Sequence, residues 1–137
     1  MMIKPRPLFQ SLVFSVFVSV STLALADFDT VMQQLDAEGL GKAEQLLTPL
    51  AKEGDVKAQY RLGLFYMLGE GVPQDTEKSV YWLTLASKQQ HVDSALALGN
   101  MYSSGTGVEI NTEKAIKWIE LAQKYADEQD RESDCDF

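Results

Sequence analysis

The sequence predicts an all-α fold of about six helices, in which antiparallel helix pairs stack on one another. The main observation is an internal repeat, because residues 62–72 return thirty-six positions later as residues 98–108 with Leu-Gly, Tyr, Gly-x-Gly and Val in place. Between residues 52–87 and 88–123, 14 of 36 positions are identical without a gap. One helix pair cannot bury its own apolar face, so repeats of this kind stack on their neighbours.

Residues 1–26 have the order of a secretory signal peptide. A short basic start precedes an apolar run from Leu8 to Ala26, and Ala24-Leu25-Ala26 supplies the small residues that a signal peptidase reads. We predict cleavage before Asp27, and therefore export, with the periplasm as the main expectation and secretion as the alternative. An uncleaved membrane anchor is the other interpretation, because 19 residues nearly span a bilayer.

The mature chain, residues 27–137, is acidic. Lys4 and Arg6 leave with the signal peptide, so ten of the 12 basic residues remain against all 20 acidic ones, a net charge of −10. Such a surface repels phosphate backbones, and we expect no nucleic-acid partner. The charge favours solubility and, weakly, a cationic partner.

Two helices are predicted before the first full repeat. Apolar residues at i, i+3, i+4 and i+7 from Phe28 to Leu35 indicate a short helix that ends at residues 38–41. A second helical pattern runs from Lys42 to Lys52, and we expect Pro49 to bend it.

Each full repeat predicts two helices joined by a glycine turn. The first helices cover about 56–68 and 91–104, and the second cover about 76–89 and 112–126, with Ile119 among the buried residues of the last. Gly63 lies in the middle of a helix, where it costs about 1 kcal/mol relative to alanine, so we expect a neighbouring helix to pass too close for a β-carbon. The repeated packing and turn positions are Ala58, Leu62, Gly63, Tyr66, Gly69, Gly71, Trp82, Leu98, Gly99, Tyr102, Gly105, Gly107 and Trp118.

The predicted repeat domain covers residues 27–126, and residues 127–137 differ in composition. This end carries six acidic residues against Arg131 alone, which predicts a solvated, disordered tail, with a docking peptide as the alternative. Cys135 is the only cysteine, so no internal disulfide can form. It is either an unpaired thiol or half of an intermolecular disulfide.

No constellation of residues indicates catalysis or metal binding. His91 is the only histidine and has no cysteine or second histidine near it in sequence to complete a metal site. The Gly69-x-Gly71 segment lacks the further glycines, the lysine and the preceding strand of a phosphate loop. We therefore expect no catalytic residue, no metal and no cofactor.

The predicted functional surface is one stripe on the first helix of each repeat, which we call the variable stripe. Its residues are spaced at i, i+4, i+7 and i+11, and they differ between the two repeats although the packing positions do not. We predict that the variable stripe binds a protein or peptide partner in a concave groove, with an ordinary solvated face as the alternative. The stripe consists of Lys57, Arg61, Leu64 and Leu68, and of their copies Asp93, Ala97, Asn100 and Ser104.

The spaced residues resemble the Sel-one-like repeat (SLR) family, a relative of the tetratricopeptide repeats. The resemblance covers residues 42–126 and implies a right-handed superhelix of antiparallel helix pairs. It also implies an adaptor that works in the bacterial envelope. Gln90 and Ser94 stand where the family usually has Gly and Ala, so we expect a slightly looser helix junction there. The matching residues are Gly54, Ala58, Leu62, Gly63, Tyr66, Gly69, Gly71, Val72, Trp82, Ala86 and Ser87.

One enzymatic alternative follows from the same resemblance. Cysteine-rich proteins with similar repeats are associated with binding or hydrolysing β-lactams, and the alternative is an enzyme acting on β-lactams or the cell wall. Those proteins carry a cysteine pair in each repeat, which this chain lacks. We therefore predict a protein that is not an enzyme.

Overall fold

The computed structural model describes residues 27–133, which form six α-helices and one 3-10 turn and contain no strand. The predicted signal peptide and Cys135 lie outside the described residues. The all-α prediction is confirmed. The elements are α1 (Phe28–Glu38), a 3-10 turn (Leu40–Lys42), α2 (Ala43–Glu53), α3 (Val56–Leu68), α4 (Thr76–Lys88), α5 (Val92–Ser104) and α6 (Thr112–Ser133).

Each helix packs against the next one in the chain, so the helices form three consecutive pairs. We call α1 and α2 pair 1, α3 and α4 pair 2, and α5 and α6 pair 3. Within the stack α2 contacts α3, and α4 contacts α5. Pro49 lies inside α2, which continues through it as one helix.

Side-chain caps fix where the repeat helices begin. The Oδ1 atoms of Asp55, Asp75 and Asn111 accept hydrogen bonds of 2.7, 3.0 and 2.8 Å from the backbone N–H three residues further on. These bonds satisfy donors that have no partner within the helix. The preceding helices end where a left-handed residue turns the chain, as Gly69 does with φ 73°.

The two helices of a pair approach closely at the predicted glycines. A β-carbon built on Gly63 would lie 2.7 Å from Cγ of Leu83, and one on Gly99 would lie 2.8 Å from Cγ1 of Ile119. Both separations are shorter than carbon atoms tolerate. The predicted reason for a helical glycine at these positions is therefore confirmed.

Two apolar clusters hold the three pairs together. The first joins pair 1 to pair 2 and includes Val31, Leu47, Leu62 and Trp82. The second joins pair 2 to pair 3, with Leu83, Leu98 and Met101 fully or almost fully buried. Apolar packing therefore stabilises both contacts between neighbouring pairs.

The outer side of pair 3 differs from the equivalent side of pair 2. Leu83 is 0% exposed because pair 3 covers it, whereas its copy Ile119 is 37% exposed. Val80 is likewise half-buried and its copy Ile116 is 50% exposed. The prediction that Ile119 is buried was wrong, because within the described residues no helix packs on that side of α6.

The acidic end is helical further than expected. Helix α6 runs to Ser133, so the predicted disordered tail from residue 127 is wrong as far as Ser133, and residues 134–137 lie outside the described part of the chain. No Gly or Pro occurs after residue 107 to end the helix. Lys124 also lies 3.8 Å from Glu128 one turn later, a spacing that supports helices.

Candidate functional site

The variable stripe is accessible on both of its helices. On α3, Lys57 and Arg61 are exposed, Leu68 is 56% exposed and Leu64 is half-buried. These four residues share one side of α3 because their spacing follows the helical period. Their accessibility is compatible with binding, but the binding role stays a prediction.

The copies on α5 have a different chemistry. Asp93, Asn100 and Ser104 are exposed and Ala97 is half-buried. The Oγ atom of Ser104 donates a 2.7 Å hydrogen bond to the carbonyl of Asn100, so it is partly occupied within its own helix. The stripe thus changes from basic and apolar on α3 to acidic and polar on α5.

Helix α1 borders the basic end of the stripe. The ammonium of Lys57 lies 5.8 Å from the centroid of the Phe28 ring, which is within the range of a cation–π contact. The stripe is therefore flanked by an aromatic side chain that the sequence did not lead us to include. No pattern links Phe28 to Lys57, because α1 lies outside the two full repeats.

The repeated positions lie in the core, at its edge and in the turns. Ala58, Leu62, Gly63, Tyr66, Trp82, Leu98 and Gly99 are buried, whereas Tyr102 and Trp118 are half-buried. The glycines at 69, 71, 105 and 107 have φ values of 73°, 70°, 74° and 69°. They occupy the left-handed region that favours glycine, and the Gly-x-Gly segments are turns.

Tyr66 lies at the centre of a polar cluster between pair 1 and pair 2. Its hydroxyl donates a 2.5 Å hydrogen bond to Oε1 of Glu44 on α2. Nζ of Lys78 lies 3.6 Å from the same carboxylate oxygen, 3.9 Å from Oδ2 of Asp75 and 4.7 Å from the centroid of the Tyr66 ring. Glu44 therefore serves as an internal carboxylate ligand for the Tyr66–Lys78 pair.

The electrostatics of this cluster follow from that arrangement. Burial raises the pKa of Tyr66, and the hydrogen bond to Glu44 raises this pKa further. The same hydrogen bond holds the pKa of Glu44 below its usual range. The Tyr66 hydroxyl also raises the pKa of Lys78. The carboxylate and the ammonium are both charged at neutral pH.

The equivalent position in pair 3 has no such carboxylate. Tyr102 and Lys114 are the copies of Tyr66 and Lys78, and Nζ of Lys114 lies 5.0 Å from the centroid of the Tyr102 ring. Val80 stands thirty-six residues after Glu44, and Asn111 stands thirty-six after Asp75. Among the described residues Lys114 makes no ion pair.

A cleft of about 360 Å³ opens beside this second tyrosine. Lys117 on its wall is paired with Glu113 at 2.8 Å. The sequence did not predict this cleft, because the repeat pattern placed Tyr102 and Trp118 among the packing residues. A signal was present, since Val80 differs in chemistry from Glu44 at the same repeat position. The lining residues are Tyr102, Lys114, Lys117, Trp118 and Leu121.

His91 caps the start of α5. Its Nδ1 accepts a 3.2 Å hydrogen bond from the backbone N–H of Ser94, and its ring centroid lies 4.8 Å from that of Tyr60. Burial lowers the pKa of His91, and the nearby Asp93 opposes this shift. In the part of the chain that the structure describes, no group of three or more possible metal ligands comes together.

Between residues 27 and 133, no helix combines the length and the apolar character that crossing a membrane requires.

The three stacked helix pairs define an α/α solenoid. The model of the Sel1 repeat matches residues 56–91 and 92–122, a division with the same period of thirty-six residues. The chain thus contains two Sel1 repeats, and the resemblance in its sequence is confirmed. Repeats of this family commonly act as protein-interaction modules and are typically non-catalytic.

Two solved structures resemble the chain. A protective antigen present in uropathogenic Escherichia coli strains and displaying an SLR fold is 32% identical, with a TM-score of 0.67 over 76% of this chain and 23% of that one. A Sel1 repeat protein from Oxalobacter formigenes is 34% identical, with a TM-score of 0.58 over 62% of this chain and 25% of that one. The chain thus spans about a quarter of the length of either protein. No curated protein matches it significantly.

Proposed function

We propose that this chain is an exported adaptor of the bacterial envelope that binds a protein or peptide partner along the variable stripe. The observation that carries the proposal is the pairing of Leu68, which is 56% exposed, with half-buried Leu64 beside two cations on one side of α3. Accessible apolar side chains with a polar rim are typical of protein-binding surfaces. The interaction role common among Sel1 repeats supports the same function.

The chemistry of the stripe specifies the partner segment. Leu64 and Leu68 would anchor apolar side chains, since such anchors carry most of the binding energy of an interface. Arg61 would select an acidic group at that end, and Asp93 on α5 would select a basic group at the other. We therefore propose a partner segment with apolar residues between an acidic and a basic group.

The test is capture of partners from an envelope fraction by a stripe variant. Arg61→Glu, Leu64→Glu and Leu68→Glu together should abolish capture of the partners that the native chain retains. A second variant, Arg61→Glu with Leu68→Glu, changes only exposed residues and guards against unfolding caused at half-buried Leu64. The helical circular dichroism signal and the melting temperature establish that each variant is folded.

A matched control lies on α4. Tyr81→Glu, Thr84→Glu and Lys88→Glu change the charge by the same amount along one stripe of that helix, and they should leave capture unchanged. Retention of the same partners by the folded α3 variants would refute the proposal that partners bind along the variable stripe. Loss of partners in the α4 control would show that added negative charge alone is responsible.

Export has a separate test. The intact mass of the chain purified from the periplasmic fraction should correspond to a mature protein that begins at Asp27. A protein that keeps residues 1–26 and sediments with membranes would refute cleavage and support the anchored alternative. The interaction proposal does not depend on this outcome.

A further inference from the structure

The repeat contains the same tyrosine–lysine pair twice, but the structure supplies a carboxylate to only one copy. At Tyr66 and Lys78, the carboxylate of Glu44 accepts a 2.5 Å hydrogen bond from the Tyr66 hydroxyl and lies 3.6 Å from the Lys78 ammonium. Hydrogen bonds to an ionised group of this kind are among the stronger ones in proteins. The first copy thus shows the pair with its anionic ligand in place.

The second copy retains both donors and loses the acceptor. Nζ of Lys114 lies 5.0 Å from the centroid of the Tyr102 ring, but Val80 occupies the repeat position that corresponds to Glu44. In the described residues the Tyr102 hydroxyl has no hydrogen-bond partner. Glu77 borders the other side of Tyr102, yet it pairs with neither donor.

We propose that Tyr102 and Lys114 form a binding site for a carboxylate group of a partner protein, in the role that Glu44 has at Tyr66 and Lys78. The Tyr102 hydroxyl and the Lys114 ammonium donate hydrogen bonds to it. The cleft of about 360 Å³ next to them leaves room for the ligand, and its wall includes Trp118 and Leu121. An apolar side chain beside the carboxylate therefore packs on these two residues.

This site is distinct from the variable stripe. Tyr102 lies two residues from both Asn100 and Ser104, which places it about 200° away around α5. A negative result with the stripe variants therefore does not refute the carboxylate site. A negative result with the carboxylate peptides likewise does not refute binding at the variable stripe. The negative net charge of the chain is screened beyond about 8 Å at physiological salt, so the two local donors decide binding at contact.

The experiment uses the mature chain and three short peptides, followed by NMR at physiological ionic strength. The acetylated, amidated peptide Leu-Glu-Leu carries a side-chain carboxylate, Leu-Gln-Leu amide carries none, and Leu-Gln-Leu acid carries only the C-terminal one. The indole N–H signal of Trp118 reports on the cleft, and that of buried Trp82 is the internal reference. We expect a saturable shift of the Trp118 signal with a Kd on the order of 1 mM.

The peptides separate the two sources of the carboxylate. Saturation by the glutamate peptide alone assigns an acidic side chain, and saturation by the acid peptide alone assigns a chain terminus; either result supports the site. Equal shifts with the uncharged peptide would overturn the proposal. So would the absence of a saturable Trp118 shift with both carboxylate peptides.

Four substitutions test the assignment of the donors and of the missing acceptor. Tyr102→Phe and Lys114→Gln, at half-buried and exposed positions, should each weaken binding about tenfold. Val80→Glu should restore the internal carboxylate and abolish binding, whereas Glu44→Val should open a second site that shifts the Trp82 signal. Unchanged binding in both folded Tyr102→Phe and Lys114→Gln would refute the site whatever the other two variants do.

Discussion

Gln90 carries a backbone strain that its copy avoids. Gln90 has φ 63°, whereas Gly54 occupies the same place in the preceding junction with φ 99°. The two junctions otherwise match, with closing backbone hydrogen bonds of 3.3 Å from His91 to Ala86 and 3.0 Å from Asp55 to Leu50. The junction at Gln90, which we expected to be slightly looser, thus keeps the same hydrogen-bond pattern with a closing bond that is longer.

Gln90→Gly should therefore stabilise the protein. A non-glycine residue in the left-handed region costs about 1–2 kcal/mol, which the substitution would relieve. Part of this gain is offset because glycine increases the conformational freedom of the unfolded chain. We expect the free energy of unfolding in urea to rise by about 0.5–1 kcal/mol. Lys88→Gly, at an exposed helical residue of the same junction, should lower it by a similar amount. A loss of stability in both variants would contradict the strain at Gln90.

His91 should make the stability depend on pH. Its folded pKa lies below the unfolded value of 6.5, because burial disfavours the charged ring. Below about pH 6.5 the unfolded chain therefore binds more protons at His91 than the folded chain does. The contribution of His91 to the free energy of unfolding is fully present above that pH, and it decreases as the pH falls towards the folded pKa. Protonation also removes the Nδ1 acceptor that caps α5.

The measurement is urea unfolding between about pH 7.5 and pH 5.5, with an NMR titration of this one histidine. His91→Asn keeps a cap acceptor without a titrating ring, so its stability should vary less over this range. An NMR pKa at or above 6.5 would contradict the burial argument. Equal pH dependence in the native chain and the variant would assign the effect to other groups.

At the scale of the helix pair, the close approach at Gly63 sets how α3 and α4 meet. An added β-carbon would lie 2.7 and 2.9 Å from two carbons of Leu83 and 3.3 Å from its backbone nitrogen. Gly63→Ala should therefore destabilise the protein by about 1–2 kcal/mol, because overpacking outweighs the better helix propensity of alanine. Urea unfolding measures this difference.

Gly41→Ala is the control for that substitution. Nothing lies within 4 Å of a β-carbon at Gly41, and its φ is not positive. Its free energy of unfolding should stay the same or rise by up to about 1 kcal/mol. If Gly63→Ala were equally harmless, the two helices would not be held at the observed distance.

The positions of the helices could be predicted from the sequence because local signals agree with the repeat. Asp55, Asp75 and Asn111 are caps in the sequence and in the structure. The end of α6 could not be predicted in the same way. Acidic composition suggested disorder, but in the absence of Gly or Pro the helix continues to Ser133. Composition describes solvation, whereas helix continuation depends on backbone propensity and one-turn contacts.

For the molecule as a whole, the repeat predicted which positions pack but not how well each copy is covered. Ile119 copies Leu83, yet its burial depends on a neighbour that a repeat position cannot reveal. The Glu44–Tyr66 contact was missed for a related reason, since pair 1 lies outside the two full repeats. Both involve contacts between pairs, and these depend on tertiary structure.

The three pairs form one stack, in which an apolar residue at a repeated position stabilises the protein most when the next pair covers it. The most direct test compares the free energies of unfolding of Leu83→Ala and Ile119→Ala in urea. Leu83 is 0% exposed and Ile119 is 37% exposed, so we expect a loss of about 3–5 kcal/mol for the first and less than half of that for the second. Equal losses, or a larger loss at Ile119, would contradict the stacked arrangement.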